Sequence, residues 1–430
     1  MRVARDGAFA APVLDAALDR PTPLAPRDRA LCTELVYGVL RAQPALDEAL
    51  GAHARDGVRS LTKLDPWTLA TLRVAAYQIL ALDRIPARAA VDGAVGAIKR
   101  ARSPGLAGFA NAVLRKLAAA RPEALSPDAR TDLCVRAVPP VVRDKMAALL
   151  GEEGAEACLR ASFSRRPAVV LRVNTRRTSR DALMARLRAE LPGAEVTAGA
   201  RSPWAVRVVS GGDPTATACW REGLFGVQEE GAQAVCMEAD VSPGMRVLDA
   251  CSGVGGKSAL LAMRLAGEGT LHAADLHPEK LTRLRASLAR EGLDAGLSLD
   301  AFAVDLSRGL GGIAAAMPPG GYDLAVVDAP CSGLGTLAHR PDLLLRLRDE
   351  AAWTALTALQ GEILARVAGC VRPGGALLYA VCTLTPEEGD GVVEGFMAAH
   401  PGWTVARRTI LRADVDGTDG FVAFRLERAP

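Results

Sequence analysis

The chain has 430 residues, half of them hydrophobic and 23% charged, with a formal net charge of +3; this balance excludes disorder on a large scale and gives material for two or three domains, each with its own core. Its apolar stretches are broken by charge or glycine before they reach the roughly 18 residues of a spanning helix, which argues against a membrane protein. Nine cysteines without a Cys-x-x-Cys pair and only five histidines fit neither a disulfide framework nor a zinc ribbon, so no metal is expected.

The charged start, Met1 to Asp6, is not followed by an apolar segment, so no signal peptide is read and a cytoplasmic protein is expected. From Ala8 to about Ala120 the periodicity is helical. Leu31, Leu35, Val36, Val39 and Leu40 form one stripe, and Leu69, Leu72, Ala75, Ala76 and Ile79 another. Arg20-Pro21-Thr22-Pro23 and Ile85-Pro86 read as turns between helices. Residues 1–125 are therefore assigned to an all-helical domain. Residues 1–120 hold 17 Lys and Arg against 11 Asp and Glu, so this part is the better candidate for meeting a polyanion.

Pro122, Ser126-Pro127 and Pro139-Pro140 mark 126–164 as a helical linker. Strand-like runs at Ala168 to Val173 and Ala205 to Val209 flank a helix from Arg180 to Glu190, giving a small α/β subdomain over 165–226. Over 227–430 strands and helices alternate, the pattern of a doubly wound parallel sheet. Strands are predicted at Arg246–Asp249, Thr270–Asp275, Phe302–Asp305, Leu324–Asp328, Ala376–Val381, Trp403–Arg407 and Gly420–Leu426. The clearest helices are Pro278–Glu291 and Ala351–Val371. Cys331, in Asp328-Ala329-Pro330-Cys331-Ser332-Gly333, and Cys382, in Tyr379-Ala380-Val381-Cys382-Thr383, each follow one of these strands. Ligands collect at the carboxyl ends of such strands, so both thiols are candidates for one site. A strand order with the fourth and fifth as neighbours brings them together.

Val247 to Ser258 reads as a strand, a glycine-rich turn and a helix. Glycines let the backbone approach a ligand, and the first helical N–H groups favour an anionic or carboxylate end. A P-loop requires glycine where Cys251 stands, so a phosphate grip is disfavoured. Asp275 ends the next strand, where an acid accepts bonds from ribose hydroxyls, and Asp305 ends the third, within reach of an adenine amino group. The candidate cofactor residues are Asp249, Ala250, Cys251, Ser252, Gly253, Gly255, Gly256, Lys257, Asp275, Asp305 and Asp328.

Asp328 to Thr336 with Arg340-Pro341-Asp342, Val227 to Gln233, and Leu171-Arg172-Val173-Asn174-Thr175 resemble segments of the Sun-type RNA (cytosine-5) methyltransferases. Upstream, Asp28 to Leu31, Glu34 to Arg41, Tyr77 to Leu80, Ile85 to Val91 and Asn111 to Arg115 are similar to the NusB-like domain of the bacterial ribosomal RNA members of that family. The two matches span nearly the whole chain. The resemblance implies a NusB-like helical domain, a small α/β subdomain and a Rossmann-like catalytic domain with seven strands. It implies S-adenosylmethionine as cofactor and a cytosine of 16S ribosomal RNA, or of a small-subunit precursor, as substrate. Cys382 is implied as the nucleophile, Cys331 as the aid to product release, Asp328 as the contact to the base and Lys257 as the positive group near the thiols. Arg172, Asn174, Arg340 and Arg425, with Arg176 and Arg177, are expected to touch RNA. A monomer is the expectation.

The chain departs from the family pattern in several places. Ser252-Gly253-Val254 stands for Ala-Ala-Pro, Ser258 for Thr, Val381 and Thr383 for the Thr and Ser around the nucleophile, and Gly389 for Asn. Two other readings stay open on the sequence: an RNA-binding assembly factor without catalysis, and the same chemistry on transfer RNA.

Overall fold

The computed structural model describes residues 3, 9–19, 24–121, 125–164, 168–346 and 350–430. They divide into a helical unit (Met1–Ala147, Glu152–Arg165 and Leu337–Arg348) and an α/β unit (Ala148–Gly151, Arg166–Thr336 and Asp349–Pro430).

In the helical unit, the helix Pro26–Gly51 packs on Pro66–Ala81, and Ala87–Ala101 packs on Pro104–Ala120. Local chemistry starts two of these helices. Asp65 accepts the Trp67 and Thr68 N–H groups ahead of Pro66, and Ser103 accepts the Leu106 N–H ahead of Pro104. Leu72, Ala75, Ala76 and Ile79 are buried as the second stripe predicts. The first stripe is buried only in part: Leu40 lies in the core as predicted, Leu31 is 39% exposed, and Ala42, Ala45, Leu46 and Leu50 extend the buried face along the same helix. The predicted turn at 20–23 lies outside the described residues.

The stretch expected to link domains forms the helices Ala129–Arg136, Pro140–Leu150 and Glu152–Ser164. The first packs on Pro26–Gly51 and Pro66–Ala81, so it belongs to the helical unit. Residues 337–348 also belong to this unit, where the buried Arg41 donates to the Ala338 carbonyl.

The α/β unit holds two sheets. The smaller is antiparallel, with β1 (Val169–Val173), β2 (Val196–Ala198), β3 (Ala205–Val208) and β4 (Phe225–Val227) in the order β2-β3-β1-β4. Leu171, Val173, Val206, Val208 and Phe225 bury its inner face with Leu183 and Leu187 of the helix Arg180–Glu190.

The larger sheet contains β5 (Arg246–Asp249), β6 (Thr270–Asp275), β7 (Ser298–Ala303), β8 (Tyr322–Asp328), β9 (Val371–Val381), β10 (Trp403–Leu411) and β11 (Phe421–Arg428). Their order is β10-β11-β9-β8-β5-β6-β7. Strands β5 to β9 pair in parallel, whereas β11 runs antiparallel between β9 and β10. The doubly wound parallel part expected from the sequence is β5 to β9, and the antiparallel β11 and β10 complete a mixed sheet of seven strands. Apolar runs in the central strands, such as Val247, Leu324, Val326 and Leu378, pack with Leu260, Leu281, Leu284 and Leu288 of the covering helices. As the predicted order requires, β8 and β9 are neighbours, with Asp328 opposite Ala380. Among the described residues no helix is long and apolar enough to cross a membrane.

Candidate active site

The carboxyl edge of β5, β6, β7 and β8 carries the glycine-rich loop and its partner acids. After Asp249 the chain turns through Gly255, whose φ of +92° opens the helix Gly256–Leu265. A Cβ there would lie 2.7 Å from the Leu284 side chain, so glycine is required twice over. Val254 stands where the pattern the loop resembles has proline, and the loop is held by hydrogen bonds. Ser252 donates its N–H and its hydroxyl to the Ala274 carbonyl (2.8 and 3.1 Å), and Gly253 N–H donates to Asp275 Oδ2 (3.0 Å). The other Asp275 oxygen accepts the His277 N–H at 2.8 Å and lies 3.2 Å from Lys280 Nζ.

Beside this loop lies a cavity of about 290 Å³. Of the residues expected to hold a cofactor, Ala250, Cys251, Gly253, Asp275, Asp305 and Asp328 line it. Leu276, His277, Lys280, Val304, Leu306, Pro330, Leu359 and Ile363 complete the wall. Sequence reasoning missed these because it followed strand-terminal acids, and Leu359 and Ile363 come from a helix more than a hundred residues downstream. Asp305 stands two residues beyond β7, where the Ser307 hydroxyl and N–H hold its carboxyl below the ordinary range. Two carboxylates facing apolar Leu276, Leu306 and Ile363 fit the hydroxyl and amino donors and the flat faces of a nucleoside.

Asp249 sits behind the loop, fully buried. One oxygen accepts the Ser258 hydroxyl at 2.6 Å, tying strand end to helix start; the other is buried and unpaired. Burial pushes its carboxyl up to about 7, with the Ser258 bond opposing and the charge of Asp328 adding. Its native proton affinity thus exceeds that of the unfolded chain, so the stability it contributes is complete below about pH 4 and is lost as pH rises through about 7. We expect Asp249→Asn to gain on wild type over that window, by up to about 4 kcal/mol. Thermal unfolding of both proteins at pH 5 and pH 8 checks this, and a difference independent of pH would contradict it.

Further along the edge, Asp328 ends β8 and its Oδ2 lies 2.6 Å from Lys257 Nζ. The Lys257 side chain is 9% exposed and also lies over the Phe421 ring at 5.4 Å. Burial works against its charge, but Asp328 outweighs it, and the ammonium is held above its ordinary range. Cys331 Sγ and Cys382 Sγ are 3.4 Å apart, the sulfurs of two turns that leave adjacent strands. The turns are locked together by backbone bonds: Gly335 N–H donates to the Cys382 carbonyl (3.0 Å) and Gly420 N–H to the Gly335 carbonyl (2.8 Å). A Cβ on Gly335 would lie 2.0 Å from the Gly420 carbonyl oxygen, so only glycine fits this approach. The hydrogen bond to Cys382 and burial push the Cys331 thiol well above its ordinary range.

The expected RNA contacts fare differently. Arg172 is 1% exposed and donates to Glu291 Oε2 at 2.9 Å, while Asn174 is buried and donates to the Gly223 and Glu291 carbonyls. Both tie β1 to the end of the helix Pro278–Glu291 and offer nothing to solvent, so the expected phosphate contacts are corrected to fold-holding bonds. Arg425 is largely spent on the Glu238 and Ala239 carbonyls. Arg340, in the helical unit, lies 5.2 Å over the Phe9 ring. Arg176 and Arg177 are exposed.

A family model described as 16S rRNA methyltransferase RsmB/F matches residues 237–419. A NusB family model matches 3–119, and an RsmF/B-like ferredoxin-like domain matches 141–214. The chain is 34% identical over 377 residues to the ribosomal RNA small subunit methyltransferase B of Pseudomonas putida, covering 87% of this chain and 82% of that one. The crystal structure of PH0851 superposes with a TM-score of 0.78 at 23% identity, covering 94% of this chain and 91% of that chain. That of NSun6 from Pyrococcus horikoshii with SFG does so with 0.59 at 17% identity, covering 68% and 98%. At these identities the two structures speak for the fold alone.

Proposed function

The chain belongs to the RsmB/F family of 16S rRNA methyltransferases and takes S-adenosylmethionine as methyl donor, and we propose that it methylates carbon 5 of a cytosine in 16S ribosomal RNA through a covalent adduct of Cys382. The observation that carries this reading is the pair of sulfurs 3.4 Å apart at the ends of adjacent parallel strands, in the unit that also holds the Lys257–Asp328 pair.

Carbon 5 of cytosine is a poor nucleophile. Bonding of the Cys382 sulfur to carbon 6 moves the electron pair of the 5,6 double bond toward carbon 5 and so divides one hard step into easier ones. The bound cofactor supplies an electrophilic methyl group on a sulfonium. Asp328 meets the base at ring nitrogen 3 and delivers a proton there as negative charge develops on addition, and Lys257 balances the charge of the carboxylate so formed. After methylation, carbon 5 gives its proton to water acting as base, the electron pair of that C–H bond restores the 5,6 double bond, and the bond from Cys382 sulfur to carbon 6 breaks with its electron pair returning to the sulfur. Cys331, next to that sulfur, assists this release. Asp275 and Asp305 hold the nucleoside part of the cofactor in the cavity. Exposed Arg176 supplies a phosphate contact, while Arg177 donates to the Glu222 and Arg290 carbonyls.

The test is transfer of labelled methyl from S-adenosylmethionine to unmodified 16S ribosomal RNA, with transfer RNA in parallel, followed by nucleoside analysis. We expect 5-methylcytosine in the ribosomal RNA alone. RNA binding without any methyl transfer would replace this reading by that of an assembly factor, and label in transfer RNA would reassign the substrate.

A further inference from the structure

Glu388 lies in the π-helical turn Glu387–Gly391, is fully buried, and has no part in the steps just described. Its Oε2 accepts the Ser332 N–H at 2.8 Å and the Gln360 amide at 2.9 Å, and its Oε1 accepts the Thr385 hydroxyl at 3.2 Å. The same Gln360 nitrogen donates to the Pro330 carbonyl at 2.9 Å. The backbone is thus anchored on both sides of Cys331. A second link joins the two cysteine turns, because the hydroxyls of Ser332 and Thr383, each one residue past a cysteine, are 2.7 Å apart. Ser332, Gln360, Thr383, Thr385 and Glu388 are all at most 2% exposed. Burying a carboxylate whose three bonds come from uncharged donors is costly, and a cost of this kind at the edge of a reactive pair calls for a role.

We propose that Glu388 is a positioning residue that fixes the Pro330–Ser332 turn and makes Cys331 the thiol that keeps its S–H and donates it to Cys382. The inference rests on Cys382 being the nucleophile. Two cysteines at contact distance compete for one negative charge, and the enzyme needs that charge on one particular sulfur. The groups around the pair divide accordingly. Cys331 is opposed in ionising by its bond to Cys382 and by burial, then by the charges of Cys382, Glu388 and Asp328, with the Tyr379 phenol interacting from the strand below. The cation Lys257 interacts with Asp328 and Cys382. Glu388 therefore acts on the division in two ways: its bonds set where Cys331 stands, and its charge disfavours a second anion there. The π-helical turn brings the carboxylate inward. Gly389 follows because a Cβ at that position would lie 2.9 Å from Val422 Cγ1.

The test is alkylation by iodoacetamide across pH, each cysteine followed by peptide mass spectrometry, in wild type, Glu388→Gln and Gln360→Ala, with methyl transfer measured on the same preparations. In wild type we expect Cys382 to react at lower pH than Cys331. Glu388→Gln keeps the acceptor for Ser332 and Gln360 but removes the charge. It should bring Cys331 to reactivity at lower pH, with about tenfold faster alkylation near neutrality, and slow single-turnover methyl transfer. Gln360→Ala should slow turnover while leaving the pH profile of Cys331 in place. Superposable Cys331 profiles in wild type and Glu388→Gln overturn the proposal. So does a wild type in which Cys331 reacts at or below the pH of Cys382, a result that needs no folded variant. Wild type that forms no 5-methylcytosine, with the two thiols still separated in pH, strikes the proposed function and not the role of Glu388.

Discussion

Cys382→Ala is expected to lower methyl transfer by at least about 10⁴-fold, because the proposed mechanism loses the sulfur that adds to carbon 6. Cofactor binding should be unchanged, since Cys382 is not among the residues lining the 290 Å³ cavity. Cys331→Ala is expected to behave differently. It keeps the attacking sulfur, completes one methyl transfer, and then holds the RNA, giving a protein–RNA complex that survives denaturing electrophoresis. Single-turnover transfer followed by gel analysis checks both. Transfer by Cys382→Ala at the wild-type rate would remove the covalent mechanism. Trapping by Cys382→Ala in place of Cys331→Ala would exchange the two roles, which the symmetric 3.4 Å contact allows geometrically.

The second large effect concerns the Lys257–Asp328 pair. Removing one member of a buried pair leaves the other unpaired in a poorly solvated site, at a cost of about 3–5 kcal/mol for a fully buried pair. Asp328 is 30% exposed at its side chain, so the lower end applies. Asp328→Asn should therefore destabilise the catalytic unit and lower the rate by about 10²–10⁴-fold. The double variant Lys257→Met with Asp328→Asn should recover much of the stability and none of the rate. Stability from denaturant unfolding and single-turnover rates from the same four proteins complete the cycle. Recovery of activity in the double variant would reduce the pair to a structural element.

Much of the catalytic unit was legible in the sequence because its signals are local. A buried parallel strand is a short apolar run between turn residues, and β5, β6, β8 and β9 announce themselves that way. Their ends carry the candidate site, so Cys331, Cys382, Asp275 and Asp328 could be named as candidates without coordinates. The helices Arg180–Glu190 and Pro278–Glu291 fall where their caps and periodicity place them. β7 was read too late by several residues, since Ser298 to Ala301 alternates polar and apolar at a sheet edge and lacks a continuous run.

What the sequence by itself determined is the type of each element and the chemistry of each strand end, because period and motif are properties of one segment. Which partner each side chain meets was decided only by the tertiary structure. Arg172 reads as a surface charge until Glu291, 119 residues away, closes on it inside the fold. Residues 337–348 follow the Cys331 motif in sequence yet join the helical unit. Glu388 and Gln360 look like ordinary helix-surface polar residues, and only folding brings them to the peptide groups beside Cys331. The physical reason is common to all three: a buried polar group must find its hydrogen-bond partner wherever the packing supplies one, and nothing in its own neighbourhood of sequence says where that is.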